Sequence, residues 1–522
     1  MEDIVYKNLD QTSFFQTLQK GTVPSLKKIL TEERINTCNI DAGGGLQYNY
    51  AALPVDEKII AALQDLSDEQ QLIPKYDALL MGERMNTGED RMVLHHLTRG
   101  DFDRPVEEDG RNLRDFYMSQ LEKIRTFTEK IHSGKIAGSS GKKFTDVVQI
   151  GIGGSDLGPR ALYLALTGCC EQHLHAHFIS NVDPDDAATI LKGLPLESTL
   201  FILVSKSGTT QETLTNQQLV YHYIEEHAPG IDPSGHMIAV TSQSSPLAGS
   251  SDFLESFYID DYIGGRYSST SAVGGTLLSL CFGYRNFSAL LEGAHQADML
   301  ARSSGITSNA ALLDALIGAY LGNVLGYRVS AILPYSQALV RFPAHLQQLD
   351  MESNGKQVNR FGQPVNYHTG PVIFGEPGTN GQHSFYQLLH QGTEKILLQF
   401  IGFRTNQQNI DQQIDGFSSR QKLNANLAAQ IVAFALGKQD VDPNKNFPGD
   451  RPSSLLYGEA LTPQSLGALL AHFENKVMFQ GFLWNINSFD QEGVQLGKVL
   501  AKQILAGTDD PLLKTYASIL GL

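Results

Sequence analysis

The sequence predicts an α/β fold: two doubly wound parallel-sheet sandwich domains, with helical extensions at both ends of the chain. Three observations lead there. Short apolar runs alternate with helix-like stretches from Val147 to Ile259, the pattern of strands joined by crossover helices. Strand-like runs resume at Val329, after the helical stretch from Ala310 to Leu325, so a second unit follows the first. The run Leu200-Phe201-Ile202-Leu203-Val204 is apolar throughout, which suits a parallel strand covered on both faces.

Taken in order, residues up to about 140 lack this alternation and read as mainly helical and irregular. Ala42-Gly43-Gly44-Gly45 reads as a loop, and Glu57 to Leu63 opens an amphipathic helix. Gly82 to Arg91 is a polar segment carrying Gly82 and Gly88, followed by Met92 to Leu97. His95 and His96 are adjacent, so on a helix they cannot face one ligand, and they read as structural. Asp115 to Ile131 is helical, and the glycine-rich stretch from Gly134 to Lys143 marks a domain junction. The first sheet takes its strands from Val147–Ile150, His177–Ser180, Leu200–Val204, Met237–Val240 and Phe257–Ile259, with Asp183 capping a helix. The second takes Val329–Leu333, Val372–Gly375 and Lys395–Phe400, and from Thr462 onward the chain is mostly helical. The expected division is an N-terminal segment over 1–140, a first α/β domain over 141–285, and a second over 286–522 with a helical tail.

The 522 residues carry 40 basic and 56 acidic side chains, a formal net charge of −16. That balance argues against a general nucleic-acid or anionic-membrane binder, though not against one small anion in a local pocket. Cys38, Cys169, Cys170 and Cys281 show no metal spacing and fit free thiols in a reducing cytoplasm. The start, Met1-Glu2-Asp3-Ile4, has no apolar signal core, and no run is long enough to span a membrane.

The densest chemical signal is Ser205-Lys206-Ser207-Gly208-Thr209-Thr210, four hydroxyls, a lysine and a glycine between an apolar strand and the helix starting at Gln211. In an open α/β sheet such a turn lies at the carboxyl end of a strand, where ligands bind. Free N–H groups of a helix start attract anions, and small hydroxyl residues let a phosphate approach, so the loop reads as a phosphate-monoester pocket. The same residues would also serve an ordinary capped helix start. The turn Gly151-Ile152-Gly153-Gly154-Ser155-Asp156-Leu157-Gly158 invites a dinucleotide reading, but the third glycine of G-x-G-x-x-G would fall at Asp156. A carboxylate there opposes a pyrophosphate. The glycines fit close approach to a small ligand with Ser155 hydrogen-bonding it, or simply a tight turn.

These two loops resemble those of the phosphoglucose isomerase family, and four later stretches resemble it too. Gly264-Gly265-Arg266-Tyr267-Ser268 looks like the family's arginine loop, and Gln347 to Lys356 like its catalytic glutamate motif. Gly378 to Gln387 looks like its histidine motif, and Asn485 to Lys498 like its C-terminal lysine motif. The matches run in family order from about 150 to 500, and Gly82 to Arg99 is similar upstream. Ser207-Gly208 stands where many animal-type members carry a bulkier pair, Glu492 where an aromatic is expected, and Arg404 to Gln413 aligns with nothing. No catalytic position is lost.

The resemblance implies a sugar-isomerase type of fold, no cofactor and no metal. It implies reversible conversion of D-glucose 6-phosphate to D-fructose 6-phosphate by ring opening and a cis-enediolate. Glu352 would move the proton between C2 and C1, as a carboxylate can. Alone, Glu352 would read as a surface charge beside the Asn354-Gly355 turn. Arg266 would stabilise the enediolate, and His383 and Lys498 would open the ring. Ser205, Lys206, Ser207, Thr209 and Thr210 would hold the phosphate, with Gly154, Ser155 and Gln348 along the substrate. The family's histidine comes from a neighbouring subunit, which implies a homodimer with shared sites. The competing expectations are a non-catalytic sugar-phosphate-binding protein of the same fold and a dinucleotide-dependent oxidoreductase, which Asp156 disfavours.

Overall fold

The structure is a computed structural model and describes residues 3–408 and 410–522. Met1, Glu2 and Asn409, which fall in the N-terminal reading and the unaligned stretch, lie outside those residues.

After three short helices, Ser13–Gln19, Leu26–Ile29 and Glu32–Thr37, the chain forms a hairpin: β1 (Asn39–Gly43) and β2 (Leu46–Asn49), antiparallel with Ile40 opposite Tyr48. The segment read as mainly helical and irregular thus also carries these two strands. Ile40 and Ala42 alternate with polar neighbours, Leu46 and Tyr48 do the same, and all four are buried. The glycines between them, with φ of +83°, +59° and +77°, turn the chain. The helices expected here form at Glu57–Glu69, capped by Asp56, and at Leu113–His132, capped by Asn112.

The first main sheet holds β3 (Asp146–Ile150), β4 (His175–Ile179), β5 (Thr199–Val204), β6 (Met237–Thr241) and β7 (Glu255–Tyr258). All pair in parallel, in the order β4-β3-β5-β6-β7. Every residue of β5 is buried, as its unbroken apolar run requires. The chain leaves β3 for β4 on one side and returns to β5 on the other. The crevice between β3 and β5 is therefore a topological switch point, and the two loops singled out in the sequence flank it.

The second sheet repeats this order. β8 (Val329–Pro334), β9 (Val372–Gly375), β10 (Ile396–Phe403) and β11 (Ser453–Gly458) pair in parallel as β9-β8-β10-β11. The hairpin then adds β2 and β1 in antiparallel fashion beside β11, so this sheet is mixed. Strand β11 was not foreseen, since its two leading serines interrupt the apolar signal. The junction placed at 285–286 falls at the start of the helix Tyr284–Leu300.

The helix Pro463–Leu483 is buried along nearly its whole length. Its buried residues include the polar and charged His472, Glu474, Asn475 and Lys476. Buried charges persist only when paired, and these are. Lys476 and His472 lie 3.0 and 3.2 Å from Asp314, and Arg99 bridges Glu474 and Asp298. Among the described residues no helix is long and apolar enough to cross a membrane.

Candidate active site

The hydroxyl loop follows directly from β5. Ser205 is buried. Its amide donates to the Val240 carbonyl at 3.0 Å, and Thr241 Oγ1 donates to the Ser205 carbonyl at 2.7 Å. The loop is internally knitted. Ser205 Oγ donates to Thr210 Oγ1 at 3.2 Å, Gly208 N to Ser205 Oγ at 3.1 Å, and Thr209 Oγ1 to Ser207 Oγ at 3.0 Å. Gly208 sits at φ +66°, where a Cβ would meet Ser245 Oγ at 2.1 Å, so no larger residue fits. The helix Gln211–His227 begins at Thr210 without a side-chain cap, which leaves its first amides facing the loop. Hydroxyls and an open helix start thus share one loop.

Lys206 connects this cradle to the arginine loop. Its ammonium donates to the Ile263 carbonyl at 3.1 Å and lies 3.9 Å from Asp261. Burial pulls its pKa below the usual lysine range, with Asp261 opposing the shift. Asp261 also faces Arg91 at 3.5 Å, and Arg91 pairs with Glu89 at 3.2 Å. The polar Gly82–Arg91 segment is therefore a strap over the cleft, a role its composition did not reveal.

The turn Gly153–Ser155, at the end of β3, touches both remaining pieces. A Cβ on Gly154 would lie 2.2 Å from the Gly265 carbonyl, and one on Gly153 would lie 3.2 Å from Gln348 Nε2. Only glycine allows the turn and the arginine loop to pack so closely. Asp156 spends its charge on Arg160, 2.7 Å away. Gln348 is the second residue of an irregular wide-turn helix, Gln347–Glu352, that ends at Glu352. Such wide turns inside helices often mark functional sites.

Glu352 and Arg266 meet at the centre. Arg266 Nη1 lies 3.4 Å from Glu352 Oε2, with side-chain exposures of 2% and 22%. The rest of the guanidinium is committed. Nε donates to Ser353 Oγ at 2.6 Å, and Nη2 donates to the carbonyls of Ser488 and Asp490 at 2.7 and 2.8 Å. Tyr267 braces the loop with its hydroxyl 3.2 Å from Ser353 Oγ and its ring stacked on His95 at 4.8 Å. His95 is fully buried, and burial holds its imidazole well below the usual range, which suits the structural role read for it. Ser353, Ser488 and Asp490 were missed as partners of Arg266, two of them because the acceptor is a backbone carbonyl.

The other two expected residues stand apart. His383 is exposed at the end of the turn Asn380–His383, which follows β9. Lys498 is exposed on the helix Gln495–Leu505, none of whose residues is buried. Among the described residues, neither side chain makes a hydrogen bond or an ion pair. The glycine turn, the arginine loop and the helix ending at Glu352 are thus in mutual contact, and Lys206 links the hydroxyl loop to Ile263, while His383 and Lys498 are exposed in this single chain.

The arrangement defines an α/β protein with a hydroxyl-rich loop at a sheet switch point and an arginine–carboxylate pair beside the neighbouring glycine turn, a layout suited to a sugar-phosphate enzyme that moves protons. The comparisons narrow this class. The phosphoglucose isomerase family model matches residues 49–516, and the chain belongs to that family. It is 59% identical to a glucose-6-phosphate isomerase of Treponema denticola and 48% identical to one of Borreliella afzelii, over 99% and 98% of both chains respectively. It superposes on the crystal structure of a glucose-6-phosphate isomerase from Chlamydia trachomatis with a TM-score of 0.93 at 41% identity, covering 98% of this chain and 99% of that one.

Proposed function

We propose that the protein interconverts D-glucose 6-phosphate and D-fructose 6-phosphate, a step of glycolysis and gluconeogenesis, in the cytoplasm. The observation that carries this at the level of chemistry is the Arg266–Glu352 pair, 3.4 Å apart and next to the Gly153–Ser155 turn. The substrate phosphate sits on Ser205, Lys206, Ser207, Thr209 and Thr210, and Gly154, Ser155 and Gln348 line the sugar. Glu352 removes the C2 proton and returns it at C1. Charge gathers on the substrate oxygens as the cis-enediolate forms, and Arg266 offsets it from a fixed position that needs no reorganisation.

His383 and Lys498 open the ring, one as base and one as acid. Their exposure supports a homodimer in which the histidine reaches the other subunit's cleft. The helices Gln495–Leu505 and Pro511–Ile519 leave Leu496, Leu512 and Ile519 open to solvent, as a face awaiting cover would. Functionally the chain divides into the segments 1–140, 141–285 and 286–522, with catalytic groups drawn from the last two.

Proton NMR of purified protein with D-fructose 6-phosphate, no nucleotide added, tests the reading. Conversion to D-glucose 6-phosphate is expected. Binding without conversion would mark a sugar-phosphate-binding protein, and conversion only with added nicotinamide would mark an oxidoreductase.

A further inference from the structure

Arg266 is aimed by its acceptors, and two of these, the carbonyls of Ser488 and Asp490, belong to the segment that leads into the C-terminal helices. Ser488 is buried and held by Asn354, whose side-chain carbonyl accepts from Ser488 Oγ at 2.7 Å. Two residues later the chain leaves the core: residues 491 to 499 are all exposed. Asp490 is thus the last anchored position before the C-terminal helices, and its carbonyl holds Arg266.

The Asp490 side chain is doubly engaged. Lys356 Nζ lies 2.5 Å from its Oδ1, and Asn487 Nδ2 donates to its Oδ2 at 2.9 Å. Asn487 Nδ2 also reaches Asn86 Oδ1 at 3.0 Å, which ties the Gly82–Arg91 strap to the same point. The Lys356–Asp490 pair is only 17% and 18% exposed, so solvent screens it little. Lys356 lies four residues beyond Glu352. Its amide donates to Thr369 Oγ1 at 3.2 Å, and its carbonyl accepts from the same hydroxyl at 2.5 Å, so the lysine backbone is itself fixed.

We propose that Lys356 and Asp490 are positioning residues for the isomerisation: their ion pair locks the 488–490 carbonyls that orient Arg266 toward Glu352. Neither needs to touch substrate. Without the pair, the exposed C-terminal segment would fray back to Asp490, and Arg266 would lose an acceptor and its aim. Misplacing a catalytic group by about 1 Å costs on the order of 100-fold in rate. The inference rests on the roles given above to Arg266 and Glu352.

The test is steady-state kinetics of K356M, D490N, the double variant and K356R, with the isotope effect on 2-deuterated D-glucose 6-phosphate. Both single variants should lose about 10- to 100-fold in kcat, with KM within about threefold because the phosphate cradle is untouched. The double variant should lose no more than either single one. K356R should recover most of the rate, and the isotope effect should rise as proton transfer becomes slower. If K356M fails to fold, D490N, which changes one group and almost no volume, decides the matter alone. Wild-type kcat in the folded variants, or additive losses, would overturn the proposal. E352Q serves as the control: if it is inactive while K356M and D490N are normal, only the positioning role falls, whereas an active E352Q removes the catalytic reading itself.

Discussion

Arg266→Lys separates charge from geometry at the centre of the site. Arg266 is 2% exposed, with donors pointing three ways: to Ser353, to the Ser488 and Asp490 carbonyls, and toward Glu352. A lysine keeps the positive charge but brings one nitrogen in place of a planar fork. It can serve one of these directions well, not all three. At least one buried acceptor then loses its donor, which costs about 1–3 kcal/mol of stability. The catalytic cost is larger. A fixed donor aimed at developing oxyanion charge contributes about 10²–10³ in kcat, or roughly 2.7–4 kcal/mol. R266K should therefore unfold at a lower urea concentration, remain folded without denaturant, and lose about 100- to 1,000-fold in kcat with KM little changed. Urea titration and initial-rate kinetics on the same preparation read both quantities. A folded R266K with kcat within about threefold of wild type would refute the idea that the guanidinium fork, rather than a positive charge, supports the transition state.

Gly154→Ala places a methyl 2.2 Å from the Gly265 carbonyl, so the turn and the arginine loop must separate by about 1 Å; kcat should fall on the order of 100-fold in initial-rate measurements. Asp350 is fully buried two residues before Glu352. Burial pushes its pKa up to about 6 from 3.8, with Lys476 and the Asn354 amide opposing. The native state therefore holds a proton between pH 4 and 6 that the unfolded chain releases, so this contribution is complete below pH 4 and is lost as pH rises through 6. D350N carries no charge to desolvate, and its unfolding free energy relative to wild type should grow by up to about 3 kcal/mol from pH 4 to pH 7, as read by urea titration at each pH. Shared sites predict that mixing inactive E352Q and H383A subunits restores activity. Half the reassorted dimers are hybrids with one complete site in two, so about a quarter of wild-type activity should return, and no recovery would mean that each subunit uses its own histidine.

The first sheet was legible because its strands are short apolar-rich runs spaced by helix-like stretches, clearest at Leu200–Val204 followed by Ser205. The hydroxyl loop's place at a strand end before a helix start was legible for the same reason. The hairpin β1–β2 escaped notice because its alternation spans only a few residues and its glycine-rich turn looked like a loop. Strand β11 escaped because its serines are buried by neighbouring strands, not by their own hydrophobicity. The residues that orient Arg266 could not be read locally at all. Two of its acceptors are main-chain carbonyls 222 and 224 positions away, which carry no sequence signature. The pairing of Asp261 with both Lys206 and Arg91 likewise depends on the fold bringing a polar strap across the cleft.

The central claim is that one carboxylate, Glu352, carries the proton between the two carbons of a phosphosugar held by the cradle. Incubating wild type and E352Q with D-fructose 6-phosphate in D2O and following deuterium at C1 and C2 by NMR tests it directly. The wild type should convert the sugar with partial deuterium incorporation. E352Q should bind it with near-normal affinity yet show neither conversion nor exchange, a loss of at least about 100-fold. Exchange at the wild-type rate in E352Q would show that another group moves the proton.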